Sequence, residues 1–509
     1  MNNQYTYNQP PMEQGIPQMP VPIRQRLMNW KMKDAFPKWL SQYSLGVYIA
    51  ALAVVSFMYS AYTLPWYYML SGIVAVMVFF LYGSTATTQT SLDRIRNERR
   101  FEKRIFLIAF IPRVIITLLL YQIFMTNFGN AFGFECGDAQ FYHDLGTDFS
   151  KAVSGGVFKD VWQHYRETLD VSDMGYASYV GFIYWLTDGS IIMVRLIKCL
   201  LSSLTVVLIY RLAKRNFGIQ TARMAAVFCA LWPNFWYYCS AHLKETEMVF
   251  LAVLFVEQAD QMLRSRQFTA WKIIPILLIA ATLFTFRTIL GIVALLSLVF
   301  AVAMSSSKVV NWGKRIIVGG LAIALIGLVA GNRLQEQTRD LLEQVQKGDQ
   351  QKNMEWRGTR ENGNSFAKYA GAAVFAPMIF TLPFPTLAKP FEGQDMQMIL
   401  NGGNFVKNVM SCFTIFALVM LLMSGRWREH MLPLSFMLGY LIVLAFSAFA
   451  QSERFHQPVM PFELMFAAYG LSIAVTQKKY KRWFTYWCAL MFIAAIAWNW
   501  FKLAGRGLV

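Results

Sequence analysis

Residues 127–173, NFGNAFGFECGDAQFYHDLGTDFSKAVSGGVFKDVWQHYRETLDVSD, interrupt an otherwise apolar chain. From Glu135 to Asp173 this segment has eight acidic and three basic residues, whereas the whole chain has a formal net charge of +18. An apolar run ends at Asn127, and apolar sequence resumes near Tyr176. The pattern predicts an acidic segment held at one face of a membrane by the helices on either side of it.

The composition of the 509 residues is 56% hydrophobic and only 15% charged. Apolar runs of roughly 17–25 residues, the length that crosses a bilayer, recur along the sequence. They predict an all-α integral membrane protein with about 13 transmembrane helices, and external loops that carry short interfacial helices. The positive charge lies in short loops rather than on one basic face, which argues against nucleic-acid binding.

The Lys and Arg residues occupy alternate loops, which by the positive-inside rule predicts a cytoplasmic N-terminus and an external segment 128–175. Residues 1–44 are predicted to form a disordered, basic cytoplasmic tail, with no apolar stretch typical of a cleaved signal peptide. We expect a separate transmembrane hairpin over 45–83 and a transmembrane core over 105–331. An external segment over 332–404 and C-terminal transmembrane helices over 405–500 are predicted to follow.

Two positions depart from plain transmembrane sequence. Arg113 lies within the apolar run 105–127, where a charged side chain is costly, and is expected either to face the bundle or to snorkel toward the cytoplasmic side. Three prolines interrupt the apolar residues 369–387, which favours a re-entrant or interfacial segment over a helix that crosses the membrane.

The predicted topology collects reactive side chains at the external face. The candidates are Glu135, Asp138, Tyr142, His143, Asp144, Lys244, Glu245, Arg287, Glu453, Arg454 and His456. Purely structural interpretations remain open, because Asp138 could bind loop amides and Glu453 and Arg454 could form a salt bridge. His242 and His456 are metal-ligand types, so a divalent metal is left open.

No glycine-rich nucleotide-binding loop follows a strand. A donor substrate is therefore expected to be carried in the membrane rather than as a nucleotide.

Several short motifs follow a distinctive order of a span, an acidic external loop and a run of short-looped spans. They are VRLI at 194–197, LIYRLAKRNFG at 208–218, ALWP at 230–233 leading to Lys244-Glu245, ERF at 453–455 and PVMPF at 458–462. In these features, over about residues 105–475, the chain resembles the GT-C superfamily of polyprenyl-phosphate-sugar glycosyltransferases, in particular bacterial relatives of protein mannosyltransferases and the lipid A aminoarabinose transferase.

This resemblance implies a GT-C-like core over 105–331 and an enzyme of the bacterial inner membrane. Asp138 would act as general base, with Glu135 and Asp144 flanking it. Many members have two adjacent acids at this point, whereas Gly137 and Ala139 flank Asp138 here.

The resemblance also implies a site for the donor phosphate, and the remaining external side chains suggest an acceptor site. Arg287 and Arg454 would bind the phosphate of a polyprenyl-phosphate sugar, and we add Lys244 to that site. The acceptor, a lipid, a glycan or a protein, is expected to contact Tyr142, His143, Glu245, Glu453 and His456. No cofactor beyond the lipid-linked donor is implied.

Two other classes remain open. An O-antigen polymerase or ligase would use the arginines of the long external segment, Arg333, Arg339, Arg357 and Arg360. A secondary transporter would need charged or broken helices near the midplane of two related halves. Only Pro112-Arg113 and Glu257 fit that pattern, and no paired halves are evident.

Overall fold

The computed structural model describes residues 37–83, 97–157, 171–265, 270–307, 376–389, 395–447, 450–475 and 479–504, with a few single residues between these ranges. Within these ranges the regular structure is helical, and strand pairing is limited to one isolated bridge between Thr63 and Ala388. The architecture agrees with the predicted all-α membrane protein.

The helices are numbered in chain order. The first nine are α1 Lys38–Met58, α2 Trp66–Met77, α3 Glu98–Phe128, α4 Cys136–Ser154, α5 Val171–Thr187, α6 Ile191–Phe217, α7 Ile219–Leu231, α8 Pro233–Ser240 and α9 Glu245–Arg264. The others are α10 Ile273–Phe286, α11 Thr288–Met304, α12 Asp395–Ile399, α13 Asn401–Met423, α14 Met431–Phe446, α15 Glu453–His456, α16 Met460–Ala474 and α17 Lys479–Ala504.

Among the described helices, six are long and apolar enough to cross a membrane: α1, α3, α6, α13, α14 with its preceding turn, and α17. Four shorter apolar helices accompany them, namely α2 with the turn that extends it to Tyr82, α7, α10 and α11. The chain is therefore a multi-pass membrane protein. The predicted count of about 13 is not established, because most of the apolar run 316–331 and all of residues 332–368 lie outside the described residues.

The apolar run 221–241, which by its length predicts a single span, is divided into two helices, α7 and α8, that meet at Trp232-Pro233. Trp232 has extended backbone angles, and Pro233 is the first residue of α8. Proline has no N–H to donate to the preceding turn, so it begins a helix well but interrupts one. Hydropathy alone did not reveal this break, because both halves are apolar.

The fully buried Arg113 of α3 stabilises the end of α7. Its guanidinium donates to the carbonyl oxygens of Cys229 at 3.1 Å and Ala230 at 3.2 Å, and to the Ser202 hydroxyl at 2.9 Å. The last carbonyls of a helix have no partner within it, so Arg113 satisfies groups that the break leaves open. The side chain faces the bundle, which is one of the two placements that the sequence predicted.

The N-terminal hairpin of α1 and α2 packs against the C-terminal helices. Tyr48 of α1 donates to the Asn401 side chain at 2.5 Å, and Tyr68 of α2 donates to Asp395 at 2.7 Å. A Cβ atom at Gly402 would lie 2.5 Å from the carbonyl oxygen of Gly72, so α2 and α13 approach closely where both residues are glycine. The hairpin therefore makes direct contacts with α12 and α13.

The described part of the proline-interrupted segment, residues 376–389, is non-helical, and most of it is buried. Side chains from two helices satisfy its backbone. The Asn408 amide donates to the carbonyl of Pro383 at 3.1 Å, and the Asn499 side-chain oxygen accepts from the N–H of Leu387 at 2.7 Å. Irregular backbone at membrane depth is tolerated when protein groups satisfy it in this way.

Charged residues gather at opposite ends of α6. Near its C-terminus, Arg211 pairs with Glu102 at 2.7 Å, and Arg215 pairs with Glu257 at 2.7 Å. At the helical rise of about 1.5 Å per residue, the N-terminus of the 27-residue α6 lies about 40 Å from its C-terminus. This N-terminal part contacts the turn before α4, at the end of the bundle that contains Asp138. Here the described part of the predicted external loop 128–175 is largely helical, because it contains α4 and the start of α5.

Candidate active site

A tight turn places Asp138 in the first turn of α4. Gly129 ends α3 in the left-handed conformation, with φ of 66°. The Asn130 side-chain oxygen then accepts from the backbone N–H groups of Phe132 at 2.9 Å and Gly133 at 3.1 Å. The side chain of Asp138 is 57% exposed, so its carboxylate is accessible to a substrate.

A second turn, residues 241–244, connects α8 to α9 and brings Lys244 and Glu245 to the start of a buried helix. Glu245 is fully buried, and Lys244 is 7% exposed. An acidic residue in the first turn of a helix interacts favourably with the helix dipole. The buried position of Glu245 nevertheless calls for a cationic partner.

Arg454 of the short helix α15 provides that partner. Its Nε donates to Glu245, and its Nη1 donates to Asp138. The two ion pairs raise the pKa of the guanidinium, although burial alone would lower it. Arg454 therefore connects three segments that are distant in the sequence.

Lys244 forms a second ion pair beside the first. Its Nζ lies 2.6 Å from the Asp173 carboxylate, which also accepts from the Tyr142 hydroxyl at 2.7 Å. Burial raises the pKa of Asp173, but Lys244 and Tyr142 more than offset it, so that pKa lies below its ordinary value. Burial likewise lowers the pKa of Lys244, and Asp173 only partly opposes this effect.

Arg287 lies at the junction of α10 and α11, in extended backbone conformation. Its guanidinium lies 4.0 Å from the centre of the Phe455 ring, the residue next to Arg454. Arg287 also helps to lower the pKa of Asp173, which places its charge close to the second ion pair. Within the described part of the chain, its guanidinium has no ion pair and no side-chain hydrogen bond. It is thus a cation that is available to an anionic ligand.

The two histidines near Asp138 belong to an aromatic cluster. His143 Nδ1 lies 2.8 Å from the Tyr184 hydroxyl, which lies 3.4 Å from Nε2 of the buried His242. Phe132 packs against both imidazoles. Burial lowers the pKa of His143, and nearby Asp144 partly opposes this. The cluster therefore favours neutral His143 near pH 7.

Several predicted residues lie apart from the ion pairs. Asp144 is exposed and accepts from Gln140 at 2.7 Å. His456 is buried, with Nδ1 2.6 Å from Lys407 Nζ, and Glu453 is buried beside it. The side chain of Glu135 lies outside the described residues, although its backbone forms the turn before α4.

Sequence reasoning did not single out Asp173, Phe455 or Tyr184 as site residues. Asp173 was counted only as one of many acids, and its signal was its position just before apolar sequence resumes. The described residues contain no group of three or more His, Cys, Asp and Glu side chains that could hold a metal ion. His242 and His456, the candidate metal ligands, lie in separate environments.

Residues 176–330 match the model of the dolichyl-phosphate-mannose-protein mannosyltransferase family. This region is under a third of the chain and contains Lys244, Glu245 and Arg287, whereas Asp138 and Arg454 lie outside it. No curated protein matches the chain, and no solved structure matches it. The family match supports a membrane glycosyltransferase of the GT-C type.

Proposed function

We propose that the protein transfers a sugar from a polyprenyl-phosphate donor to an acceptor hydroxyl at the external face of the bacterial inner membrane. The observation that carries this proposal is the ion-pair cluster in which Arg454 binds both Asp138 and Glu245, with Lys244 and Arg287 beside it. Such a cluster combines an accessible carboxylate with cations suited to a phosphate.

In the proposed reaction, the acceptor oxygen attacks the anomeric carbon of the donor sugar. The bond from that carbon to the phosphate oxygen breaks, and polyprenyl phosphate leaves with the bonding electrons. Asp138 accepts the proton of the acceptor hydroxyl, as a general base within hydrogen-bond reach would. Its 57% exposed side chain supports this role, because the acceptor must approach it from solvent.

Negative charge grows on the phosphate as it leaves, and cations held in place lower the energy of that transition state. Arg287 is the first candidate, because its guanidinium fork matches phosphate oxygens and carries no competing carboxylate among the described residues. Lys244 is paired with Asp173, and Arg454 is paired with Asp138 and Glu245. They would add positive charge around the same group.

A lipid-linked donor is supported by two observations. The matching family is described by its use of dolichyl-phosphate-mannose, a lipid-phosphate sugar. The cluster also lies at one end of a bundle of apolar helices, where a phosphate attached to a lipid tail can approach from the bilayer. The identity of the sugar and of the acceptor is left open.

The described residues bear only on the transporter alternative. The four arginines of a polymerase or ligase, between 333 and 360, lie outside the described residues. The two transporter candidates have internal partners: Arg113 binds main-chain carbonyls, and Glu257 pairs with Arg215.

The test is release of polyprenyl phosphate by purified wild-type protein in lipid nanodiscs. We expect release from a set of polyprenyl-monophosphate sugars when a hydroxyl acceptor is present. Consumption of polyprenyl-diphosphate glycans alone, with lengthening of the glycan, would contradict the proposal and support the polymerase or ligase.

A further inference from the structure

Two buried cations lie on the same face of α6, three residues apart. Arg195 belongs to the VRLI stretch, and Lys198 follows within one helical turn. Both side chains are fully buried. Neither takes part in the ion pairs of Asp138, Asp173 and Glu245. Buried cations in a transmembrane helix are costly and call for a specific role.

Arg195 holds the turn that leads to Asp138. Its Nη2 donates to the carbonyl oxygen of Ala131, in the tight turn between α3 and α4. Its guanidinium also lies 5.4 Å from the centre of the Tyr121 ring on α3. The start of α4, and with it Asp138, is thereby tied to α6.

Lys198 holds the turn that leads to Glu245. Its Nζ donates to the carbonyl oxygen of Leu243, directly before Lys244. The same Nζ lies 3.4 Å from the Glu247 carboxylate and 5.6 Å from the centre of the Tyr176 ring. An internal anion therefore balances its charge, which leaves it bound to the protein rather than to substrate.

We propose that Arg195 and Lys198 are positioning residues that set the distance between the two halves of the active site. Arg195 fixes Asp138, and Lys198 fixes Lys244 and Glu245, both from one rigid helix. Hydrogen bonds of charged donors to carbonyl oxygens are stronger than neutral ones, so each turn is held firmly. The inference rests on the proposed function in assigning acceptor activation to Asp138 and phosphate binding to the cations.

The proposal predicts that the two variants have different defects. Arg195→Met should lower kcat by about 10-fold or more with little change in the donor KM, because a misplaced base slows the chemical step. Lys198→Met should raise the donor KM by about 10-fold or more, because the phosphate-binding turn is loosened. Arg195→Lys, which keeps a cationic donor, should recover part of the lost kcat.

Arg211→Met is the matched control. Arg211 is a cation of the same helix that pairs with Glu102 at the opposite end, so both kinetic constants should remain near the wild-type values. Equal defects in Arg195→Met and Lys198→Met, or defects of the same size in Arg211→Met, would contradict the proposal.

Amide hydrogen exchange, followed by mass spectrometry, tests the same inference without turnover. Arg195→Met should speed exchange over residues 130–138 and leave 243–248 unchanged, and Lys198→Met should do the reverse. Uniform acceleration, or no change in either segment, would overturn the positioning role. Because exchange needs no substrate, an absence of sugar transfer by wild-type protein would contradict the proposed function alone.

Discussion

Arg287 differs from the other cations of the cluster in having no carboxylate partner among the described residues. Under the proposed mechanism it binds the departing phosphate. Arg287→Ala should then lower kcat/KM for the donor on the order of 100-fold, the usual cost of one transition-state donor. The kcat/KM of Arg287→Lys should lie between the values of wild type and Arg287→Ala, because Lys keeps the charge but lacks the planar guanidinium fork.

Initial rates at varied donor concentration measure this effect, with Arg211→Ala as control. Wild-type kcat/KM in Arg287→Ala would show that Arg287 anchors the helices and does not bind phosphate.

Lys244 gives the reaction a predicted pH dependence. Burial lowers the pKa of Lys244 below that of an ordinary lysine, and the charge of Asp173 partly opposes this decrease. As pH rises, the amine loses its positive charge, so donor binding should weaken on the alkaline side. Asp173→Asn removes the negative charge that raises the pKa of Lys244, so the alkaline fall of kcat/KM should move to lower pH.

The measurement is a pH profile of kcat/KM for wild type and Asp173→Asn. Asp148→Asn, an exposed acid of α4, is the control and should leave the profile in place. If the alkaline fall of kcat/KM in Asp173→Asn stays in place or moves to higher pH, Lys244 is not the titrating group.

The contact of α2 with α13 depends on two glycines. Gly402→Ala would place a Cβ atom 2.5 Å from the carbonyl oxygen of Gly72, so the helices must separate. We expect a loss of about 1–3 kcal/mol of stability, as for overpacked cores. Gly46→Ala in α1 is the control, because no atom lies within 4 Å of its added Cβ.

Thermal unfolding in one detergent compares the two variants. A lower Tm for Gly402→Ala alone is expected. Equal Tm values would show that the N-terminal hairpin contributes little to the stability of the bundle.

Arg113 is predicted to be structural. Arg113→Met removes the donor to the Cys229 carbonyl and one of two donors to the Ala230 carbonyl, which also accepts from the Trp236 indole. It should cost about 1–3 kcal/mol of stability, because the buried Cys229 carbonyl loses its charged partner. Arg211→Met breaks the partly exposed ion pair with Glu102 and should lower the stability by under about 1 kcal/mol. A normal Tm in Arg113→Met with a selective loss of transport or transfer would contradict this assignment.

At the scale of elements, the sequence predicted helices where apolar runs were continuous, as for α3, α6 and α13. It did not predict the break at Pro233, because Arg113 and the packing of α3 stabilise an interruption that hydropathy averages out. Nor did it predict that the hairpin packs against α13, because that contact depends on glycines in helices far apart in the chain.

At the scale of the whole molecule, charge patterning predicted that Asp138, Lys244, Arg287 and Arg454 lie at one end of the bundle. It could not predict the pairing, since Arg454 and Asp138 are 316 residues apart and meet only because the fold brings the starts of α4, α9 and α15 together. Asp173 was missed for the same reason: only the fold places it beside Lys244.

The central claim is that Asp138 is the general base of a sugar transfer. The most direct measurement compares transfer from a polyprenyl-phosphate sugar by wild type, Asp138→Asn and the control Asp148→Asn. We expect a loss of about 10²–10⁴-fold in Asp138→Asn. We also expect retained donor binding in that variant and wild-type rates in the control. Full activity of Asp138→Asn would show that Asp138 is not the general base.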